Sequence, residues 1–462
     1  MLRRREAEES KAEPMTKSLV PFVAAGLLAS LGSAQDNHYW TSQFGNRARL
    51  LGGAVVGSAT DVSAIYYNPG ALALVPKPEL LLSGTVFQYE TVGIADALGP
   101  GEDLTDGRFA LVPSLFAGEL QLDALGENRV GYAFLTRQDA EFRVNERADI
   151  TDLLQGSFPD LSFASSGVQF ETRLREYWFG GSWSRKIGER IGFGVSPFFA
   201  VRNQRGRAQS LTQGLDRGGE GGIAITNRDF DYYHWRLLLK AGVSTDWEAW
   251  KVGFTVTTPS LGLFGSGDTG LDVSAIGQDV DQNGSALTLI TTDFQEGVSA
   301  DYHSPFSFAL GGARSFGRSR LHISIEWFDG IGQKAVLEPE PFVSQSSGAT
   351  ITYDTLYEAD SVLNAAFGLE HRFESGLQAY AGFSTDFSAA SERVPASSSL
   401  ASWNIYHLSG GATLAVAGQE ITLGLIYSFG SSEIGENDLR LSPSLDVSYK
   451  RLTFVIGVGF IF

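Results

Sequence analysis

The most regular feature of the chain is an alternation of apolar residues with small or polar ones, and it is clearest near the C-terminus. Along residues 452–462 every second position is apolar: Leu452, Phe454, Ile456, Val458, Phe460 and Phe462. Because successive side chains of a strand point to opposite faces, this pattern predicts a strand with one apolar face. The stretch of 11 residues has the length that a tilted strand needs to cross the hydrocarbon of a membrane.

The same period of two recurs in residues 191–199, 321–327, 363–369 and 421–429. The connections between strands alternate between long polar stretches and tight turns, and the tight turns lie near residues 125–128, 187–190, 247–250, 317–319, 374–376 and 417–419. Short turns on one side and long loops on the other are typical of outer-membrane barrels. The sequence therefore predicts an all-β fold, a transmembrane antiparallel β-barrel of about 14 strands. The first two strands alternate weakly, which leaves a count two lower or two higher open.

The N-terminus has the features of a secretory signal peptide. Lys17 precedes an apolar run over residues 19–31, and the small residues Gly32, Ser33 and Ala34 follow it. The run is too short to cross a bilayer as a helix, and a buried core helix is the alternative. We expect a signal peptide over residues 1–34, with Met15 as the true start, and export to the bacterial outer membrane.

Composition and charge restrict the function further. The 462 residues contain no cysteine, which excludes disulfides and thiolate metal sites. The formal net charge is −18, and such an acidic balance argues against nucleic acid as a partner.

Residues 35–78 precede the first barrel strand and show little alternation. A ring of 14 strands encloses a lumen too wide for side chains alone to fill. We therefore expect residues 35–78 to form an N-terminal hatch inside the lumen, and residues 79–462 to form the barrel.

The motifs of this segment resemble those of the FadL-type family of outer-membrane transporters for hydrophobic compounds. The resemblance is carried by Arg47 with Gly52-Gly53-Ala54, by Ala59-Thr60-Asp61 with Ser63-Ala64, and by Asn68-Pro69-Gly70-Ala71. Residues 258–261 and 265–267 are also similar to the family. One position departs from the pattern, because Gly70 stands where the family motif has alanine. The resemblance implies a 14-stranded barrel with a hatch, and passive uptake of fatty acids or aromatic hydrocarbons.

The family resemblance also implies a gate, at which ligands leave sideways through a kink in the third strand that the hatch asparagine holds. Carried over, the asparagine is Asn68, with Asp61, Pro69 and Gly70 beside it. Asn68-Pro69 also has a purely local explanation, since Asn-Pro opens turns.

The third predicted strand contains a candidate for such a kink at Thr136, Arg137, Gln138 and Asp139. Alternation places Thr136 and Gln138 on the lipid face, where polar groups are costly unless the wall is bent or opened. The alternative is that the strand has already reached the outer interface at Thr136.

Other candidate chemistry is weak. Asp279, Asp281 and Asn283 begin like a calcium loop, but Ile290 stands where the bidentate carboxylate belongs. We expect a solvated acidic turn there, with no metal and no cofactor. The chain has no H-E-x-x-H and no G-x-S-x-G motif, and we expect no enzymatic activity. The histidines His322 and His407 should point into the lumen, where Glu326 and Glu370 also point.

The expected partners follow from these features. They are a hydrophobic small molecule, outer-membrane lipid and lipopolysaccharide, and the barrel assembly machinery, for which Phe462 would be the assembly signal. A monomer is expected. The alternative function is a barrel of the same family that acts as a protein-interaction or secretion-accessory component.

Overall fold

The computed structural model describes residues 38–76, 79–95, 103–120, 126–155, 159–278, 287–391, 403–416, 418–434 and 445–461. Three sequence predictions lie outside these residues: the signal peptide over residues 1–34, the calcium-loop candidate Asp279, Asp281 and Asn283, and the assembly signal Phe462.

The described residues form twenty strands and four short helices. The strands are β1 (Glu79–Ile94), β2 (Leu104–Leu120), β3 (Asn128–Asp149), β4 (Leu161–Ile187), β5 (Ile191–Asp216), β6 (Gly221–Trp247), β7 (Trp250–Thr257), β8 (Leu261–Gln278), β9 (Leu287–Ser299), β10 (Ser307–Phe316), β11 (Ser319–Phe328), β12 (Ile331–Leu337), β13 (Phe342–Val343), β14 (Thr350–Ile351), β15 (Thr355–Ala359), β16 (Val362–Arg372), β17 (Gln378–Asp386), β18 (Asn404–Val416), β19 (Gln419–Ile434) and β20 (Leu445–Ile461). The helices are α1 (Asn46–Leu50), α2 (Ala64–Tyr67), α3 (Pro69–Leu72) and α4 (Thr151–Gln155).

Fourteen of the strands close into an antiparallel barrel. The ring runs β1-β2-β3-β4-β5-β6-β7-β10-β11-β16-β17-β18-β19-β20, and β20 pairs with β1 to close it. The remaining long strands, β8 and β9, extend the sheet from the outer half of β6. The predicted fold class and the predicted count of 14 strands are therefore confirmed.

The alternation of the C-terminal strand has the predicted facing. Leu452, Phe454 and Ile456 are exposed on the outside of the ring, whereas Arg451 and Thr453 are buried inside it. Outward apolar and inward polar residues are the arrangement of a barrel whose outer face meets lipid.

The tight turns on one side of the ring depend on left-handed backbone. Gly188 and Gly376 have φ of 65° and 86°, and the turn between β6 and β7 uses Glu248 at φ 33°. Glycine adopts this region without a Cβ clash, which explains why these turns are so short. On the other side β4, β5 and β6 are 26 or 27 residues long, far more than a membrane crossing of about 9–11 residues requires.

Residues 38–76 lie against the inward face of the barrel strands, with α1 near β17–β20 and α3 near β4–β6. This segment is almost completely buried, and Leu50, Ile65, Asn68 and Leu72 are each 0% exposed. We refer to residues 38–76 as the hatch segment.

Glycines of the barrel wall make room for the hatch segment. A Cβ at Gly382 would lie 2.5 Å from the backbone of Leu51 and Gly52, and a Cβ at Gly411 would lie 2.7 Å from the Leu50 side chain. Ordinary Cβ contacts are near 3.4–4 Å. The small residues that alternate along the strands therefore let the backbone of the hatch segment approach the backbone of the wall.

Candidate functional site

The predicted hatch residue Asn68 joins the hatch segment to the barrel wall. Its Nδ2 donates to the backbone oxygens of Val56 (2.9 Å) and Val243 (3.0 Å), and its Oδ1 accepts from the Gly70 amide (3.1 Å) and caps α3. Val243 belongs to β6. The expectation that Asn68 hydrogen-bonds the kink of the third strand is therefore wrong. The physical reason is steric, because glycines of β5 to β7 leave space for α3 at that part of the wall.

Pro69 and Gly70 also fit the position of α3 against the wall. Pro69 occupies the first turn of α3, where its missing N–H costs no hydrogen bond. A Cβ at Gly70 would lie 2.6 Å from the backbone oxygens of both Gly192 and Gly242. The departure from the family motif thus has a local cause, because alanine does not fit between β5 and β6.

Asp61 acts within the hatch segment. Its carboxylate accepts from the backbone amide of Ser63 (2.9 Å) and from the Ser63 hydroxyl, and this closes the turn before α2. The structure does not bring Asp61 or Asn68 to the third strand.

The third strand is interrupted at the residues that the sequence singled out. The register of β3 on β4 shifts between Thr136 and Gln138. The side chains of Leu135, Thr136, Arg137 and Gln138 are all buried, at 0%, 4%, 6% and 8% exposure. The extra residue of a bulge breaks the alternation. The expectation that Thr136 and Gln138 face lipid is therefore wrong: both are buried, and Thr136 lines a cavity inside the ring.

The hatch segment contacts this bulge through its first described residues. Arg137 Nη2 donates to the Tyr39 carbonyl (2.5 Å), and Gln138 Nε2 donates to the His38 carbonyl (3.0 Å). The contact that the family resemblance assigns to Asn68 is thus made by backbone groups of His38 and Tyr39. Carbonyl groups are present in every residue, so no side-chain motif could have indicated them.

A buried charge cluster lies behind the bulge. Glu176 Oε2 lies 3.2 Å from Arg202 Nη1 and 2.7 Å from Arg236 Nη2, and both arginine side chains are 0% exposed. Arg202 also donates to Gln138 Oε1 (3.1 Å), which ties the cluster to the bulge. The Tyr302 ring covers the two guanidinium groups, at 3.9 and 4.8 Å from their central carbons. None of these three residues was predicted from the sequence as a site residue, although the alternation of β4 to β6 places all three on the inward face.

An aromatic cluster fills the lumen on the side of the long connections. Tyr39 stacks on Phe328 with ring centroids 4.3 Å apart, and Tyr302 packs on Tyr357 at 4.9 Å. Further members come from the wall and from the connections: Phe230, Tyr232, Ala300, Ile331, Val336, Leu337, Ala359 and Val362. The cluster is built by the hatch segment, the wall and the connecting segments together. It extends from β12 and β15 to Tyr39, whose carbonyl contacts the bulge.

A small polar cavity of about 40 Å³ lies between the hatch segment and the wall at the bulge. Thr136, Gln88, Ser114, Trp40 and Arg451 are among the residues that line it. The cavity has room for about three waters, and its polar lining suits ordered water rather than an apolar ligand.

An ion pair and hydrogen bonds anchor the hatch segment elsewhere in the ring. Arg47 Nη2 lies 2.6 Å from Glu370 Oε2, and Arg47 Nη1 donates to the Ser58 carbonyl (3.0 Å). His322 and His407 are buried, and Trp40 Nε1 donates to Glu326 (2.9 Å), as the inward facing of these residues predicted. Burial alone would lower the pKa of Arg47, but the Glu370 carboxylate more than offsets this and raises it.

Burial shifts the pKa values of two side chains in the hatch segment. Burial raises the pKa of Tyr66 to about 12 against the opposing effect of Arg137, and burial lowers the pKa of Arg49 to about 10. At neutral pH the phenol is therefore neutral and the guanidinium is charged.

Across the described part of the chain no three His, Asp or Glu side chains come together as a metal site would require. Within that part no helix has the length and apolarity to cross a bilayer.

Comparison with known proteins bears on the fold. No protein-family model and no curated protein matches the chain. The solved Pseudomonas putida toluene transporter TodX matches with a TM-score of 0.58 and 15% identity, over 91% of this chain and 98% of its own. A Pseudomonas aeruginosa FadL homologue matches with a TM-score of 0.57 and 14% identity, over 92% and 100%. The Ralstonia pickettii toluene transporter TbuX matches with a TM-score of 0.55 and 12% identity, over 91% and 98%. The chain therefore has the fold of these channels, which agrees with the resemblance of its hatch motifs.

Proposed function

We propose that this chain is a FadL-type channel of the bacterial outer membrane, which takes up hydrophobic small molecules without an energy source. The observation that carries the proposal is the aromatic cluster, because its packed apolar side chains run from the connecting segments to Tyr39 at the interrupted strand, and motion of these side chains would open a route for an apolar ligand. The solved channels of the same fold include two toluene transporters and a FadL homologue, which supports the same substrate class.

Small aromatic compounds fit this route better than long acyl chains. Tyr39, Tyr302, Phe328 and Tyr357 offer ring faces and edges, and aromatic pairs gain from offset and edge-on contacts beyond their buried area. A ligand the size of one ring gains about 2–3 kcal/mol when it leaves water for such a site. Binding of this strength concentrates the ligand and still allows its release, so a gradient suffices to drive uptake.

The exit is the interruption in β3, where a ligand would pass sideways into the lipid. The exposed apolar residues of the ring would face the outer-membrane hydrocarbon, with lipopolysaccharide around the long strands outside it. Insertion by the barrel assembly machinery and function as a monomer belong to the same proposal.

A larger side chain against the aromatic cluster tests this proposal. Val298 packs against the cluster from β9, and Val298→Trp should fill space on the route. The matched control is Phe294→Trp, because Phe294 lies on the same strand and is 59% exposed on the outside. The assay measures uptake of labelled toluene and labelled oleate by cells that produce each variant at equal surface levels.

The expected result is a several-fold loss of toluene uptake for Val298→Trp and none for Phe294→Trp. Equal uptake by both variants would show that the aromatic cluster is not the route. Should the wild type move neither compound, the proposal fails. The exposed apolar residues Phe294, Ile290 and Val343 would then favour the alternative role in protein interaction.

A further inference from the structure

The barrel wall has a seam between β2 and β3. Their register covers six pairs, from Leu120 with Val130 to Leu115 with Leu135. Beyond Leu115 the register of β2 continues on β1 alone, to the pair of Ile94 with Leu104. Beyond Leu135 the register of β3 continues on β4 alone, to Asp149. The two strands thus separate in their outer halves.

Two features of the sequence end the ladder at this point. The bulge in β3 shifts the register at Arg137, so that the following residues no longer face β2 in phase. On the other strand Pro113 has no N–H group and cannot donate to a ladder.

Side chains of β2 bridge the seam where the backbone ladder has ended. The Arg108 guanidinium forms an ion pair with the Asp139 carboxylate, and Arg108 Nη1 lies 3.5 Å from the Asp139 carbonyl. The Asp106 carboxylate accepts from the Arg143 amide (3.0 Å). In a strand, the backbone N–H and C=O groups of every second residue point toward the same neighbouring strand. Asp139 and Arg143 are four residues apart, so their backbone groups point to the same side of β3. The side chains of Asp106 and Arg108 therefore contact edge groups of β3 that a ladder would otherwise occupy.

The bridge lies at the outer margin of the apolar belt. Arg108 lies opposite Glu90 of β1, and Glu90 lies opposite Arg451 of β20, so the three residues are at the same height in the wall. Leu452, at the margin of the apolar belt, follows Arg451 directly. The neighbouring Phe109 is 66% exposed on the outer surface. Arg108 and Asp139 are each only 14% exposed, so water screens their attraction less than it screens a surface pair. Below them, Ser114 and Thr136 line the polar cavity at the start of the seam.

We propose that Asp106, Arg108 and Asp139 form a latch that holds the seam closed, and that the latch parts when a hydrophobic ligand passes from the lumen into the membrane. The proposal rests on the proposed function, because it assigns the control of that exit to three residues. Charged side chains suit this task, since they release β3 without breaking any pair of the adjoining ladders.

The first test measures the seam itself, independently of transport. Spin labels at Ala110→Cys and Ala140→Cys would report the distance across the seam in lipid nanodiscs, and the chain has no cysteine of its own. Arg108→Gln should lengthen and broaden this distance. The control variant is Glu119→Gln, which removes the Arg129–Glu119 pair (3.1 Å) from the part of the same two strands that is backbone-paired. It should leave the distance unchanged.

The second test closes the seam covalently. Cysteines at positions 108 and 139, joined by a short bis-methanethiosulfonate linker that forms a disulfide with each thiol, should abolish uptake of labelled toluene, and reduction of these disulfides should restore it. The same linker between cysteines at positions 116 and 134 should have no effect, because Phe116 and Phe134 already face each other in the ladder. Without the linker, Arg108→Gln should raise the uptake rate by about fivefold or more, if the closed state loses one charge-assisted contact.

The two measurements separate the two proposals. An unchanged spin-label distance in Arg108→Gln, or full uptake through the linked seam, overturns the latch. A lengthened distance in a protein that transports nothing supports the ion pair as the contact that closes the seam, but refutes the proposed function and with it the opening for a ligand. Heat-modifiable migration on gels confirms for each variant that the barrel has folded.

Discussion

Substitution of Gly70 by alanine tests the fit between the hatch segment and the wall, because two effects of opposite sign compete there. In a helix, alanine is ordinarily favoured over glycine by about 1 kcal/mol. At Gly70, however, the new methyl group would lie 2.6 Å from two backbone oxygens, on β5 and β6. Backbone atoms held in ladders on both sides cannot move aside cheaply, and overpacking of this kind costs about 1–3 kcal/mol.

We therefore expect Gly70→Ala to destabilise the packing of α3 against the wall by up to about 2 kcal/mol, after the helix gain is subtracted. Hydrogen exchange of the amides in residues 64–72 should accelerate accordingly, while the exchange of β5 and β6 stays slow. The control is Gly312→Ala, since the nearest atom to its new methyl group lies at 3.5 Å. Slower exchange in Gly70→Ala than in the wild type would refute the steric reasoning, and would leave the departure from the family motif without an explanation.

Three further variants test other parts of the structure. Asn68→Ala removes the amide donor to the buried Val56 carbonyl and to the partly buried Val243 carbonyl, so hydrogen exchange of the hatch segment should accelerate by an equivalent of about 1–3 kcal/mol, with no change at the seam. An altered seam distance would contradict the assignment to β6. Glu176→Gln removes the carboxylate that compensates two buried arginines, and it should lower the free energy of unfolding by about 3–5 kcal/mol in denaturant titrations. A titration midpoint equal to that of the wild type would show that other groups carry this charge. Ile456→Arg places a charge on the outward belt at a cost of about 2–4 kcal/mol, and normal insertion in a gel-shift assay would contradict the facing of β20.

The sequence is sufficient to predict the barrel, but it is not sufficient to predict the contacts between the barrel wall and the hatch segment. Alternation predicts strands because each residue of β20 meets either the outside or the lumen, and the turn glycines mark where the chain reverses. The same rule fails at Thr136 and Gln138, because one extra residue in a bulge changes the facing of everything near it.

The partners of the hatch segment could not be read from one chain. Asn68 was recognised through its motif, but its acceptor on β6 depends on where glycines leave space in three dimensions. The inward facing of Glu176 and its two arginine partners could have been predicted, since the alternation of β4 to β6 is regular. These residues come from three separate strands, however, and only the register brings them together.

The hatch segment imposes an order on folding. His38 hydrogen-bonds the Trp403 carbonyl, and the Thr41 carbonyl accepts from Arg451, across separations of 365 and 410 residues. Contacts this distant in sequence are costly to form early, because the loop between them must first be closed. The part of the described chain that is synthesised first is therefore the part that is completed last, once β20 has joined β1. Until then the apolar residues of the hatch segment have no closed barrel wall to cover them.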